Sequence, residues 1–242
     1  MRLDKFLAST GRLTRSTAAK AIRSGEVCVN GEAVRTPDRH ISPDDDLIVW
    51  RGEALTYRKF TYVLLNKPDG YVSATEDGRD PTVLELLPEE LQRQGLFPCG
   101  RLDKHTLGLM LLTNNGPLAH RLLAPKTHVA KTYAFSLREP IDPDEARRLE
   151  RGVYLVDGAG ERYLTKPCTI TLEPGCDAGT VVLTEGKYHQ VKRLFEEAGN
   201  KVISLERISF AGLTLAGIET RGEWRYLAED EAAALIEAAG LN

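Results

Sequence analysis

Residues 100–116 read GRLDKHTLGLMLLTNNG. The stretch passes from a loop opened by Gly100 into an apolar run, Leu107–Leu112, and ends at Asn114-Asn115-Gly116-Pro117. That tetrapeptide reads as a turn and helix start, with Pro at the first helical position, where its missing N–H is no loss. The apolar run falls far short of the ~18 residues a membrane span needs, so it reads as a strand. One carboxylate, Asp103, stands in the loop just ahead of it. Loop groups held by a rigid sheet are a common place for chemistry.

On either side the pattern repeats. Strand-like segments are TYVLLNK (61–67), KTYAFSL (131–137), TITL (169–172), GTVVLTEG (179–186), KVISLERISF (201–210) and Leu213–Ile218. Helical segments fall between them at 84–94, 116–125, 142–152, 189–199 and 229–240. In the fourth, Val191, Leu194, Phe195 and Ala198 lie at i, i+3, i+4 and i+7, one apolar face. Strands and helices mix without βαβα alternation. The expectation is an α+β domain, a mixed and mainly antiparallel sheet with helices packed on it.

The front end is different. Leu3, Phe6 and Leu7 give one helical face, which Gly11 breaks. Thr14 or Ser16 can cap a second helix, TRSTAAKAIRSG, ended by Gly25. VCVNGEAV then presents two short runs joined by Asn30-Gly31, the dipeptide suited to a type I′ hairpin. A further strand, LIVW (47–50), follows Asp44-Asp45-Asp46. Arg51–Lys59 carries little apolar pattern. This divides the chain into a small module at 1–52, a linker at 53–59 and a larger domain at 60–242.

The net charge is only −3, which does not announce a nucleic-acid partner, yet the first 41 residues hold eight Lys/Arg against four Asp/Glu. Arg12, Arg15, Lys20 and Arg23 cluster on and before the second helix, with Arg2 and Lys5 on the first, and such a stripe suits RNA phosphates. The four cysteines form no C-x-x-C pair and the five histidines no H-x-x-x-H pair, so no metal site is expected and free thiols in a reducing cytoplasm are the plain reading. The start lacks the apolar core of a signal peptide.

Residues 2–50 resemble the small alpha-L RNA-binding module. In the larger domain, LLNKPDGYVS (64–73), the 100–116 stretch, Lys131-Thr132-Tyr133 and EGKYHQVKRLFEEAGNKV (185–202) resemble, in order and spacing, the RsuA-type pseudouridine synthases. Asn115 departs from the family, where an Asp is common. The resemblance implies isomerisation of uridine to pseudouridine in RNA, with no cofactor and no metal. It makes Asp103 the nucleophile, Tyr133 the residue stacked on the target uracil, and Lys192 or Arg193 the cation beside Asp103. It also implies RNA contacts from Lys67, Arg101, His189 and Gln190. The chemistry agrees: a carboxylate can form an adduct or handle an intermediate, an aromatic face retains the detached ring, and a cation keeps a buried Asp ionised. Within the family the likeness is to enzymes of small-subunit ribosomal RNA, resting on MRLDKF, GYVSATEDGRDPTVLELLP and Leu164-Thr165-Lys166-Pro167. The expected partner is therefore ribosomal RNA or a pre-ribosomal particle, met by a cytoplasmic monomer with no membrane contact. The alternatives are a large-subunit enzyme and, in another class, a non-catalytic assembly factor.

Overall fold

A computed structural model describes residues 1–124 and 126–241. Pro125, the last residue of the helix expected at 116–125, and Asn242, the last of the larger domain, lie outside them. Two units emerge: Met1–Thr61 with Leu84–Phe97, and Tyr62–Val83 with the chain from Pro98 onward.

In the first unit, α1 (Leu3–Ser9) and α2 (Arg15–Arg23) bury the faces their periodicity marks out, with Leu3, Phe6, Leu7, Ala18 and Ile22 in the core. The Thr14 hydroxyl caps α2 by accepting from the Thr17 N–H at 3.2 Å. Strands β1 (Val27–Val29), β2 (Glu32–Ala33), β3 (Ile48–Trp50) and β4 (Glu53–Leu55) form an antiparallel sheet in the order β2-β1-β3-β4. Asn30 and Gly31 turn β1 into β2 with φ of 55° and 84°, as a type I′ turn requires. Strand β4 occupies part of the stretch read as a linker. Its pairing with β3 is a backbone ladder, for which a weak apolar pattern is no obstacle. Asp4 suggests a surface ion pair in sequence, but it is buried, with Arg2 at 2.8 Å and Arg15 at 3.6 Å. The helix expected over 84–94 is broken by Pro88, because the residue before a proline avoids the helical region. A 3-10 turn (Val83–Leu86) and the short α3 (Glu89–Gln92) replace it.

The second unit is built on β5 (Tyr62–Lys67), β6 (Phe97–Pro98), β7 (Leu107–Thr113), β8 (Lys131–Leu137), β9 (Tyr154–Val156), β10 (Arg162–Leu164), β11 (Thr169–Leu172), β12 (Ala178–Leu183), β13 (Val202–Phe210), β14 (Leu213–Thr214) and β15 (Trp224–Tyr226). The main sheet runs β11-β12-β8-β13-β7-β5-β15, with β14 beside β13 and β6 beside β7. Among the described residues its only parallel pair along that path is β13 with β7. The sheet is mixed and mainly antiparallel, as the sequence leads one to expect. At the parallel seam a Cβ on Gly108 would lie 2.3 Å from the Arg207 carbonyl oxygen, so the apolar run must contain a glycine there. Hairpin β9–β10 stands apart as a two-stranded sheet.

Helices α4 (Gly116–Leu123), α5 (Pro143–Glu150), α6 (Gln190–Glu197) and α7 (Glu229–Ala238) accompany these strands. Asn115 caps α4, its side-chain oxygen accepting from the Leu118 N–H at 3.2 Å while its amide donates to the Tyr62 hydroxyl at 2.9 Å. Helix α6 buries Val191, Leu194 and Phe195, each contributing about 1.5–3 kcal/mol as it leaves water. The Phe195 ring lies 4.5 Å from that of Phe135 on β8. This packing seats α6 against the strand that carries Tyr133. Among the described residues no helix is long and apolar enough to cross a membrane.

Candidate active site

The loop between β6 and β7 presents Asp103, and the sequence around it explains why the loop keeps its shape. The Ser73 hydroxyl accepts from the Leu102 N–H at 2.9 Å, and it donates to the Leu102 carbonyl at 2.8 Å. On the other side, the Asp103 carbonyl accepts from the Thr106 N–H at 3.0 Å. Beneath the turn lies Lys67, at the end of β5 and fully buried. Its ammonium donates to the carbonyls of Pro68, Lys104 and Thr106 at 3.1, 3.0 and 2.8 Å. Burial pulls its pKa down to about 8, against the opposing pull of Asp69 and Asp103. The Asp103 side chain is thus carried on a turn pinned at residues 102, 104 and 106.

The carboxylate itself meets two basic groups from one segment. Lys192 Nζ donates to Asp103 Oδ2 at 2.8 Å, and His189 Nε2 stands 3.3 Å from Oδ1. Both come from the start of α6, whose N-terminal end also carries partial positive charge. Lys192 and Arg193 are neighbours on a helix, so only one can face the loop. The Arg193 guanidinium turns away, donating to the Val156 carbonyl of β9 and standing 4.9 Å from the Tyr188 ring centroid. An open pocket of about 400 Å³ is lined by Asp103, Lys192, His189, Arg101 and Tyr133, with Leu183 among its apolar walls. Tyr133 projects from β8 on the same side as Phe135 and is itself 9% exposed.

Two expected RNA contacts are buried. Lys67 has no exposed surface; β5 is buried over most of its length, so the Lys67-Pro68-Asp69-Gly70 turn begins inside the domain rather than on its surface. Gln190 is 4% exposed. Its amide donates to the Glu185 carboxylate and accepts from the Lys187 N–H at 2.9 Å, closing the 185–190 loop. Arg101 is exposed at the pocket. In the first unit Arg2, Lys5, Arg12, Arg15, Lys20 and Arg23 are all exposed. Arg12 pairs with Glu53 and Glu90, and Arg2 and Arg15 with Asp4, whereas Lys5, Lys20 and Arg23 face solvent. Sequence reasoning passed over Ser73 and Thr106; the only signal for Ser73 was its place in the GYVS stretch. Among the described residues no cluster of His, Cys, Asp or Glu could hold a metal ion.

Known proteins share this architecture. Residues 61–197 match the RNA pseudouridylate synthase family, and residues 1–47 match the S4 domain. The uncharacterized RNA pseudouridine synthase YtzG of Bacillus subtilis is 43% identical over 96% of each chain. Ribosomal small subunit pseudouridine synthase A of Vibrio cholerae is 40% identical over 97% of this chain and 99% of its own. A crystal structure of a pseudouridylate synthase superimposes with a TM-score of 0.66 at 38% identity, covering 97% of this chain and 99% of that one.

Proposed function

Since the chain belongs to the RNA pseudouridylate synthase family, we propose that it isomerises a uridine of small-subunit (16S) ribosomal RNA to pseudouridine, with Asp103 as the reacting carboxylate. Enzymatic isomerisation follows from the family; the target rests on the relatives that carry the small-subunit name along their full length. The match to the S4 domain, with its exposed Lys5, Lys20 and Arg23, supports RNA as the substrate, and the small-subunit relatives support ribosomal RNA as its kind. A ribosomal target puts the reaction in the cytoplasm.

The observation that carries the reading is the 2.8 Å approach of Lys192 to Asp103 at the pocket that Tyr133 lines. The reaction breaks the bond from C1′ to N1, turns the uracil and joins C1′ to C5. The C5 proton is lost and N1 gains one, so nothing is consumed. An anionic Asp103 can attack C1′ and be displaced again by C5, or can take a proton from the sugar and return it; both routes begin with the carboxylate ionised. Lys192 sets a positive charge 2.8 Å from that carboxylate. Tyr133 offers the ring face that retains the detached base, and stacking of this kind is worth ~1–3 kcal/mol. Extruding the target from its stack costs a few kcal/mol, least where the RNA is single-stranded.

Chemical labelling of pseudouridine in ribosomal RNA, with and without the gene, tests the assignment. One small-subunit pseudouridine should vanish on deletion and return with the gene. Loss of a large-subunit pseudouridine instead would move the target to the other subunit, and an unchanged map would refute it.

A further inference from the structure

We propose that His189 is a positioning residue of the reaction, holding the Oδ1 side of the Asp103 carboxylate while Lys192 holds Oδ2. The inference rests on Asp103 being the reacting group. His189 Nε2 stands 3.3 Å from Oδ1 and Lys192 Nζ 2.8 Å from Oδ2, so the two bases flank the carboxylate and oppose its rotation.

The local backbone admits a histidine at this position but gives its side chain no task. Residue 189 sits at the N-cap of α6 with φ 51° and ψ 30°, in the left-handed region that favours Gly or Asn. N-caps favour Ser, Thr, Asp and Asn, whose side chains accept from the first turn; the His189 side chain makes no capping bond. Strained backbone persists where the surroundings over-determine it, and it gathers at functional sites. Here the left-handed turn sends the imidazole into the pocket. Stacking against Tyr188, with centroids 3.9 Å apart and planes at 18°, fixes the ring's plane. The charged groups around it are Asp103 and Lys192 on its pocket side, Arg101 and Glu185 in the same pocket wall, Arg193 beside Tyr188, and Lys187 on the same loop.

The test exploits the backbone. His189→Gly removes the imidazole and suits a positive φ, so the variant should fold with a melting temperature no lower than the parent. Its kcat in single-site modification of ribosomal RNA should fall roughly ten- to a hundred-fold, the usual effect of loosening a reacting group, with KM for RNA unchanged. Free imidazole in the assay should restore part of the loss. His189→Asn, which also tolerates the left-handed turn, should lose kcat in the same way. Asp103→Asn is run in parallel: if it keeps activity, the underlying reading of Asp103 fails. If Asp103→Asn is dead yet His189→Gly keeps kcat, or only KM rises, or imidazole gives no recovery, the positioning role is wrong and His189 is at most an RNA contact.

Discussion

Lys67→Met removes the ammonium that pins the Asp103 loop, and the size of the effect can be worked from the hydrogen bonds. Three carbonyls, those of Pro68, Lys104 and Thr106, lose a donor within 3.1 Å. Hydrogen bonds to a charged group contribute ~1.5–3 kcal/mol each, so about 6 kcal/mol is lost in gross terms. Against this, burial that lowers the pKa from 10.5 to about 8 corresponds to about 3 kcal/mol of unfavourable charge burial, which Met avoids. A net destabilisation of about 3 kcal/mol remains, or roughly 6–12 °C in melting temperature for a chain of this size. The variant also has a pH signature. Between pH 8 and about 10.5 the unfolded chain holds the Lys67 proton more tightly than the folded one, so this group adds stability as pH rises. That rise should be present in the parent and missing in the variant. Calorimetric melts across pH 7–10.5, with hydrogen exchange at the Thr106 amide as a local probe, read both effects. A variant that melts within 1–2 °C of the parent, with the Thr106 amide equally protected, would refute the pinned-loop argument.

Cys99 acts in the opposite sense on alkaline stability. Burial pushes its thiol from 9.0 up to about 11, so its stabilising contribution, at most about 3 kcal/mol, is full below pH 9 and lost by pH 11; Cys99→Ala should flatten melting curves over that window. Tyr133→Phe should keep the ring face and substrate binding, whereas Tyr133→Ala should cost ~1–3 kcal/mol in substrate or transition-state binding. An unchanged activity per folded molecule in Tyr133→Ala, with a sharp drop in melting temperature, would make Tyr133 a core residue. The double substitution Lys20→Ala and Arg23→Ala should weaken RNA binding and reduce its salt slope by roughly 0.7–0.9 for each phosphate that is no longer neutralised. An unchanged slope in filter-binding titrations would mean that this face does not meet RNA.

Periodicity in the sequence was a sound guide wherever one face alone is buried. The alternation of KTYAFSL marks β8 at its observed ends, with Lys131, Tyr133, Phe135 and Leu137 all turned inward. It was a poor guide where ladders rather than side chains define the element. Hairpin β9–β10 went unread because Tyr154, Val156 and Leu164 are exposed and give no one-sided pattern. The RNA contact expected of Lys67 fails for a related reason: nothing local marks this lysine as buried, and only the tertiary fold shows carbonyls converging on it. The meeting of Asp103 with Lys192, 89 residues away, was legible through family likeness alone. Which of two adjacent bases turns inward depends on the face of α6 that Phe195 seats. That information is not local.

The central claim is that Asp103, hydrogen-bonded to Lys192, carries the isomerisation. Asp103→Asn keeps the side chain's size and removes its charge, so folding and RNA affinity should stay close to the parent's. Single-turnover modification of ribosomal RNA by this variant, read as pseudouridine formed per enzyme, measures the claim directly. The account predicts no more than a trace of product over many parental half-times; substantial product at near-parental rate from the folded variant would contradict it.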